Sequence, residues 1–89
     1  MTEELRKEIK EAADMMLEVA NDRSVPRNIR TVVEEAAKKI HAKKLESAEV
    51  SNAIYMLDDI SNDINMPSHT RTDIWQIISK LEALKEKIK

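Results

Sequence analysis

The sequence predicts an all-α protein: an antiparallel four-helix bundle in which two duplicated helical hairpins form a single domain over residues 1–89. The composition has no glycine, no cysteine and no phenylalanine, with 42% hydrophobic and 36% charged residues, which is typical of long helices. Residues 5–45 also align with residues 46–86 without a gap, and 11 of the 41 aligned pairs are identical. A repeat of this length indicates a helix-turn-helix unit that cannot bury its apolar side alone, so the two copies are expected to close on each other.

The first repeat predicts two helices, at about residues 3–20 and 26–43. Their apolar residues recur about every 3.6 positions, as in helices that bury one side. The stripe of the first helix consists of Leu5, Ile9, Ala12, Ala13, Met16, Val19 and Ala20. The stripe of the second consists of Ile29, Val32, Val33, Ala36, Ala37 and Ile40. Together these helices form the first hairpin.

The second repeat predicts a helix that begins near Ser47, a residue type that caps helices, and another at about residues 68–87. The stripe of the third helix consists of Val50, Ala53, Ile54, Leu57, Ile60 and Ile64. The stripe of the fourth consists of Ile74, Ile77, Ile78, Leu81, Leu84 and Ile88. All four helices have similar lengths, so side-by-side packing is expected.

Each repeat contains one turn, Asn21–Pro26 in the first and Asn62–Pro67 in the second. Proline fits the first turn of the following helix, where a missing N–H costs little. Asn21 and Asn62 are expected to end the preceding helices in the left-handed conformation, because the chain has no glycine for that role.

An aspartate and an arginine recur at the same places around both turns, Asp22 with Arg30 and Asp63 with Arg71. If each turn folds back, the arginine lies within reach of the aspartate. Such a pair is either a structural clamp on the hairpin or a ligand site. The occurrence at the same position in both repeats favours the clamp.

Charge alternates along the chain, whose formal net charge is −2. Acidic and basic residues number six and three in residues 1–21, and three and seven in 22–45. They number six and one in residues 46–73, and two and four in 74–89. Neighbouring helices of an up-down bundle would therefore face each other with opposite charge. This favours correct pairing more than stability, since an exposed ion pair contributes only about 0–1 kcal/mol.

The segments Ser24–Arg30, Ile60–Thr72 and Ile74–Trp75 resemble a family of small, uncharacterised archaeal proteins. The resemblance spans nearly the whole chain. It implies an all-helical fold and a cytoplasmic archaeal source. It implies no catalytic or binding residue, because the family has no established activity.

The sequence lacks the residues that catalysis and cofactor binding usually need. Without glycine it has neither a phosphate-binding loop nor a dinucleotide fingerprint, and without cysteine it has no thiolate site. A di-iron site would need a glutamate three residues before each histidine, where Lys38 precedes His41 and Met66 precedes His69. We therefore expect a protein that is not an enzyme, with no cofactor and no metal.

One oxygen-rich group near the end of the third helix could hold calcium or magnesium, but a calcium loop would want a glycine at its sharp turn. Its members are Asp58, Asp59, Asn62, Asp63 and Asn65. Solvated acids are the simpler interpretation. No apolar run is long enough for a signal peptide or a membrane span, which predicts a soluble cytoplasmic protein without a membrane partner.

The two aromatic residues of the chain lie where the repeats disagree. Tyr55 aligns with Asp14 and Trp75 aligns with Glu34, so the repeated fold requires no aromatic side chain at either position. Each aromatic lies about 100° around its helix from a residue of the apolar stripe. Large amphipathic aromatics in such places are typical interface anchors.

Met15 and Met56 are also equivalent in the two repeats and lie off the stripes. They are predicted to line the same surface as Tyr55 and Trp75, as adaptable contacts. The alternative is that the two aromatics widen the core of the second hairpin.

The predicted function is that of a small non-enzymatic protein-interaction module, whose partner is another protein or a second copy of the chain. The alternative is a nucleic-acid-associated accessory protein that contacts RNA or DNA phosphates through its basic second helix. The basic residues concerned are Arg23, Arg27, Lys38, Lys39, Lys43 and Lys44. No aromatic residue lies among them to stack on bases, and their spacing from Glu34 and Glu35 also fits salt bridges within the helix.

Overall fold

The structure is a computed structural model that describes residues 2–41 and 45–88. Its four helices are α1 (Glu3–Ala20), α2 (Arg27–Ile40), α3 (Ser47–Ile60) and α4 (Ser68–Lys87). Each helix packs against two others: α2 and α4 both contact α1, and both contact α3. Short turns join α1 to α2 and α3 to α4, so these pairs run antiparallel. The predicted four-helix bundle is confirmed.

The core lies along the bundle axis and draws on both repeats. Met16 and its equivalent Leu57 are fully buried, as are Val33 and its equivalent Ile74. The other large, fully buried apolar side chains are Val25, Ile29, Ile40, Val50, Ile77, Leu81 and Leu84. Burial of a side chain of this size contributes about 1.5–3 kcal/mol relative to exposure.

The helix bounds match the predicted ones for α1 and α4, and α2 begins one residue later than predicted, at Arg27. It ends at Ile40, and residues 42 and 43 of the predicted helix lie outside the described residues. The helix α3 starts at Ser47, but no side chain caps it. Thr2 does cap α1, because its hydroxyl oxygen accepts a hydrogen bond from the Leu5 N–H at 3.1 Å.

Two predictions about the ends of α1 and α3 were wrong. Asn21 has φ −97°, in the right-handed region, and no described residue has a positive φ. The N–H groups of Asn21 and Asp22 continue to donate to carbonyls of α1, so the helix end needs no left-handed residue. Ile64 does not extend the stripe of α3, because the helix ends at Ile60 and Ile64 lies exposed in the turn.

The two turns have the same internal hydrogen bonds. The Val25 N–H donates to the Asp22 carbonyl at 3.1 Å, and the equivalent Met66 N–H donates to the Asp63 carbonyl at 3.1 Å. Each aspartate carboxylate also accepts a bond from the main-chain N–H two residues later, a typical Asx turn. The turns therefore begin α2 and α4 in the same way.

Each hairpin also contacts the turn of the other hairpin through an equivalent residue. Asn28 donates from its side-chain amide to Oδ2 of Asp63 at 3.0 Å. His69, the residue aligned with Asn28, places Nε2 3.9 Å from Oδ2 of Asp22. These reciprocal contacts relate the two hairpins by an approximate two-fold axis, which makes the α1/α4 interface equivalent to the α2/α3 interface.

Two ion pairs join α1 to α4 further along their interface. Lys80 lies 3.1 Å from Glu11, and Lys87 lies 2.7 Å from Glu8. The Glu8 carboxylate raises the pKa of Lys87 above its ordinary value. Both pairs follow the predicted pattern, with bases on α4 facing acids on α1.

Candidate docking face of the second hairpin

Tyr55 and Trp75 lie on the outside of the second hairpin, on the side where α3 meets α4, and of the two only Tyr55 lines the groove between these helices. Tyr55 lines a groove of about 270 Å³ between α3 and α4, opposite Glu82 and Glu86. Trp75 lies one helical turn after Arg71, whose guanidinium reaches over to the end of α3, so this side of α4 faces α3. Trp75 and Glu82 are seven positions apart on α4, which places the two aromatics about 10 Å apart along the hairpin.

Both aromatic side chains are open to solvent. Tyr55 is 73% exposed and Trp75 is 56% exposed. A core role for them in the second hairpin, the alternative considered from the sequence, does not fit this exposure. We call the surface formed by Tyr55 and Trp75 the aromatic face.

The first hairpin uses the equivalent positions differently. Asp14 pairs with Lys10 at 3.0 Å, and Glu34 pairs with Lys38 at 3.6 Å. In the second hairpin both members of each pair are changed. Tyr55 and Trp75 replace the acids, and two serines replace the lysines. These serines are Ser51 and Ser79. The outside of the fold therefore tolerates charged pairs here, and the second hairpin has exchanged them for apolar surface.

A third apolar side chain is exposed at the turn end of the same hairpin. Ile64 is 92% exposed, and its equivalent in the first hairpin is Arg23. Periodicity alone assigned Ile64 to the α3 stripe. The repeat alignment contained the better signal, because an apolar residue paired with a charged one is not required by the fold.

Acidic side chains outnumber basic ones around the Tyr55 end of the aromatic face. Glu82 and Glu86 line the groove beside Tyr55, and Lys85 is the one basic residue among the groove's described lining residues. Asp58 is exposed one turn after Tyr55 on α3. The surroundings of the face thus favour a partner with positive charge.

Met15 and Met56 do not lie on the aromatic face, contrary to the prediction. Met15 lines the groove between α1 and α4, whereas Met56 lines the groove between α2 and α3. Both are half-buried against the core. The reason is helical geometry, since Met56 is one residue beyond Tyr55 and therefore about 100° around α3, on the side of α2.

Arg30 and Arg71 do hold the turns, but their side chains donate hydrogen bonds to main-chain carbonyls and not to the aspartate carboxylates. Nε of Arg30 donates to the Val25 carbonyl at 2.9 Å. Arg71 donates twice, from Nε to the Ser61 carbonyl and from a terminal nitrogen to the Asp63 carbonyl, both at 2.9 Å. Among the described residues, neither arginine forms an ion pair with the Asp22 or Asp63 carboxylate. The predicted aspartate–arginine pairs are therefore replaced by arginine–carbonyl bonds that hold the turn.

The Asp22 carboxylate accepts hydrogen bonds within its own turn. It accepts bonds from the Ser24 hydroxyl at 2.7 Å and from the Ser24 N–H at 2.9 Å. These bonds, the hydroxyl first, lower the pKa of Asp22 below its ordinary value, and nearby His69 lowers it further.

The basic residues considered for nucleic-acid contact are spread over the described part of the bundle. Arg23 and Arg27 lie near the α1–α2 turn, whereas Lys38 and Lys39 lie three turns of helix further on. Lys38 is paired with Glu34, and Lys39 lines the α2/α3 groove. Lys43 and Lys44 lie outside the described residues. The described basic residues thus form no continuous patch.

Within residues 2–41 and 45–88, no group of three or more acidic, histidine or cysteine side chains is arranged to hold a metal ion. The acidic residues at the end of α3, Asp58, Asp59 and Asp63, therefore do not form such a group either. None of the helices in the described part of the chain is long and apolar enough to cross a membrane.

Residues 1–84 match the model of an uncharacterised protein family, UPF0147. A crystal structure of MMP1188, a Methanococcus protein of unknown function, is 44% identical, with a TM-score of 0.79 over 84% of this chain and 86% of that one. A second crystal structure, of a UPF0147 protein from Thermoplasma acidophilum, is 36% identical, with a TM-score of 0.80 over 89% and 94%. No curated protein is similar enough in sequence to count as a relative. The chain belongs to UPF0147, an uncharacterised family with archaeal members, as its turn segments indicated.

Proposed function

We propose that this protein is a non-enzymatic interaction module that docks another protein on its aromatic face. One observation carries the proposal. The exposed apolar residues of the second hairpin, Tyr55, Ile64 and Trp75, occupy positions where the first hairpin has charged residues. The fold does not need these apolar side chains, and exposing them is unfavourable unless something covers them. Tyrosine and tryptophan are also the residues most often found as interface anchors.

The charge around the face defines the chemistry of the partner. Glu82 and Glu86 line the groove beside Tyr55 together with Lys85, and Asp58 lies one turn after Tyr55, so acids outnumber bases there. We therefore propose a partner segment with apolar side chains flanked by lysine or arginine. A second copy bound through the same face would bring two acidic rims together, which costs interaction energy. The cytoplasmic location expected from the sequence is part of the same proposal.

Crosslinking in native cells tests this function directly. A photoreactive phenylalanine analogue introduced at Ser79 lies one helical turn from Trp75 and leaves both Tyr55 and Trp75 in place. The matched control is the same analogue at Lys38, the equivalent residue of the first hairpin. We expect a protein adduct from position 79 and none from position 38.

A second experiment replaces both aromatic residues with the acidic residues that the first hairpin has at the equivalent positions. Tyr55→Asp and Trp75→Glu together should reduce the adduct from position 79 by at least about 30-fold, the loss expected when even one 2 kcal/mol anchor is removed. Circular dichroism of the variant should match that of the unchanged protein. An adduct that persists in this variant would contradict the proposal. An adduct that contains RNA or DNA would support the nucleic-acid alternative, and one of two copies of this chain would identify a homodimer.

A further inference from the structure

The aromatic face continues into further apolar surface along the outside of the second hairpin. Ile78 is three residues after Trp75 and four before Glu82, so these three residues lie on one side of α4. On α3, Ile54 lines the groove beside Tyr55. Both isoleucines are half-buried, so part of each side chain is open to solvent. We call the surface formed by Trp75, Ile78, Ile54 and Tyr55 the apolar strip.

The first hairpin has smaller side chains at the positions of the two isoleucines. Ala13 is equivalent to Ile54 and Ala37 to Ile78, and both alanines are fully buried. The shared packing of the hairpins is therefore satisfied by alanine at these positions. Ile54 and Ile78 extend beyond that need and add apolar surface to the outside, next to the two aromatics.

The spacing along the apolar strip matches the turns of an α-helix. At about 1.5 Å per residue, Ile78 lies about 4.5 Å beyond Trp75, and Glu82, at the level of Tyr55, lies about 6 Å further on. The strip thus offers three contact points about 5 Å apart, close to the helical pitch of about 5.4 Å. An extended strand repeats each side only about every 6.7 Å, and a polyproline helix about every 9 Å.

The main chain of the described residues also favours a helical partner. The regular structure within residues 2–41 and 45–88 consists of helices, which have no strand edge to which an extended segment could add. A partner that binds as a helix forms its main-chain hydrogen bonds within itself. Its contact with the apolar strip then needs only side chains.

We propose, on the basis of the function proposed above, that the partner segment is an amphipathic α-helix that lies along the apolar strip. Side chains from its successive turns contact Trp75, Ile78 and Tyr55. Glu82 and Glu86 outnumber Lys85 in the groove at the Tyr55 end. The basic residues of the partner helix therefore flank its apolar side at that end.

Three synthetic peptides without tryptophan test the conformation of the partner. The first has about 18 residues, enough for an isolated helix to form, with leucine at positions i, i+4, i+7 and i+11 among lysine, glutamine and alanine. The second has the same composition with leucine at alternate positions, as in a strand. The third has the same lysines and a proline at every third position. Trp75 is the only tryptophan of the protein, so its fluorescence reports the binding of each peptide.

We expect the helical peptide to change the Trp75 fluorescence saturably and to bind at least about tenfold more tightly than the other two. Ile78→Ala, which copies Ala37, should weaken its binding about tenfold. Tyr55→Asp should do the same, and because Tyr55 is exposed this variant keeps the test valid if Ile78→Ala does not fold. The matched control is Leu17→Ala, which removes an exposed apolar side chain of the first hairpin and should leave binding unchanged.

The charge of the groove is tested with a further pair of measurements. Glu82→Gln with Glu86→Gln should weaken binding of the helical peptide, but not of a version that has glutamine in place of lysine. The helical partner is ruled out if the strand-like or proline-rich peptide binds as tightly, if no peptide binds, or if Ile78→Ala and Tyr55→Asp have no more effect than Leu17→Ala. The crosslink from position 79 decides the proposed function separately, because it captures a protein partner of any conformation.

Discussion

The two hairpins share what faces inward and differ in what faces outward. Met16 and Leu57 are equally buried, and both turns hold their aspartates in the same Asx geometry. On the outside, the ion pairs of the first hairpin become aromatic–serine pairs in the second. Identical demands of packing explain the shared parts. The outward-facing residues that differ between the hairpins are not required for folding. They are therefore the best candidates for a functional surface.

The largest expected effect concerns the shared core. Met16→Ala and Leu57→Ala should each lower the free energy of unfolding by about 2–5 kcal/mol, because each leaves a cavity beside fully buried neighbours. Urea unfolding followed by circular dichroism measures both. A loss below about 1 kcal/mol in only one of them would show that the two repeats do not share the core equally.

The turns should differ in strength although their geometry is similar. Arg71 donates to two carbonyls and Arg30 to one. At about 1 kcal/mol for each bond, Arg71→Ala should cost about 2 kcal/mol and Arg30→Ala about 1 kcal/mol. The same unfolding measurement applies. Equal losses, or a larger one for Arg30→Ala, would mean that the carbonyl bonds do not determine the contribution of these arginines.

The outer faces should contribute little to stability in either hairpin. Trp75→Glu and Tyr55→Asp should each change the free energy of unfolding by less than about 1 kcal/mol, since both side chains are exposed. The thermal midpoint and the helical signal provide the measurement. A loss of about 3–5 kcal/mol for Trp75→Glu would assign Trp75 to the core and remove the main support for the aromatic face.

The smallest expected effect is the pH dependence of the Asp22 turn. The pKa of Asp22 is lowered in the folded state, so its ionised form stabilises the fold above its ordinary pKa of 3.8. That stabilisation is lost as the pH falls below this value, through the folded-state pKa. The difference in urea midpoint between the protein and Asp22→Asn should therefore shrink in acid. His69→Asn, which copies Asn28, is the control that isolates the histidine. If this difference in urea midpoint grew in acid, the ionised form of Asp22 would not be the one that stabilises the fold.

Much of the fold could be predicted, because helix stripes and a gapless repeat depend on local spacing. The bounds of α1 and α4 followed from that spacing alone. The side-chain geometry did not follow. Arg71 was expected at a carboxylate and binds carbonyls, because main-chain carbonyls that follow α3, those of Ser61 and Asp63, compete for the guanidinium. The aromatics could be identified from the repeat alignment. The buried hydroxyl of Thr70, which has no hydrogen-bond partner among the described residues, could not, because it becomes visible only once its neighbours are placed.

The reciprocal contacts of Asn28 and His69 have a consequence for the order of the chain. They make the interface between α4 and α1 the counterpart of the interface between α2 and α3. The loop that joins the two hairpins could therefore connect α4 to α1 instead of α2 to α3. A circular permutant that runs α3, α4, α1, α2, with a new loop after α4, keeps every helix neighbour and both turns. Its successful folding would show that the bundle is specified by the hairpin and not by the order of hairpins along the chain. One hairpin could then change its exterior while the other preserved the shared architecture.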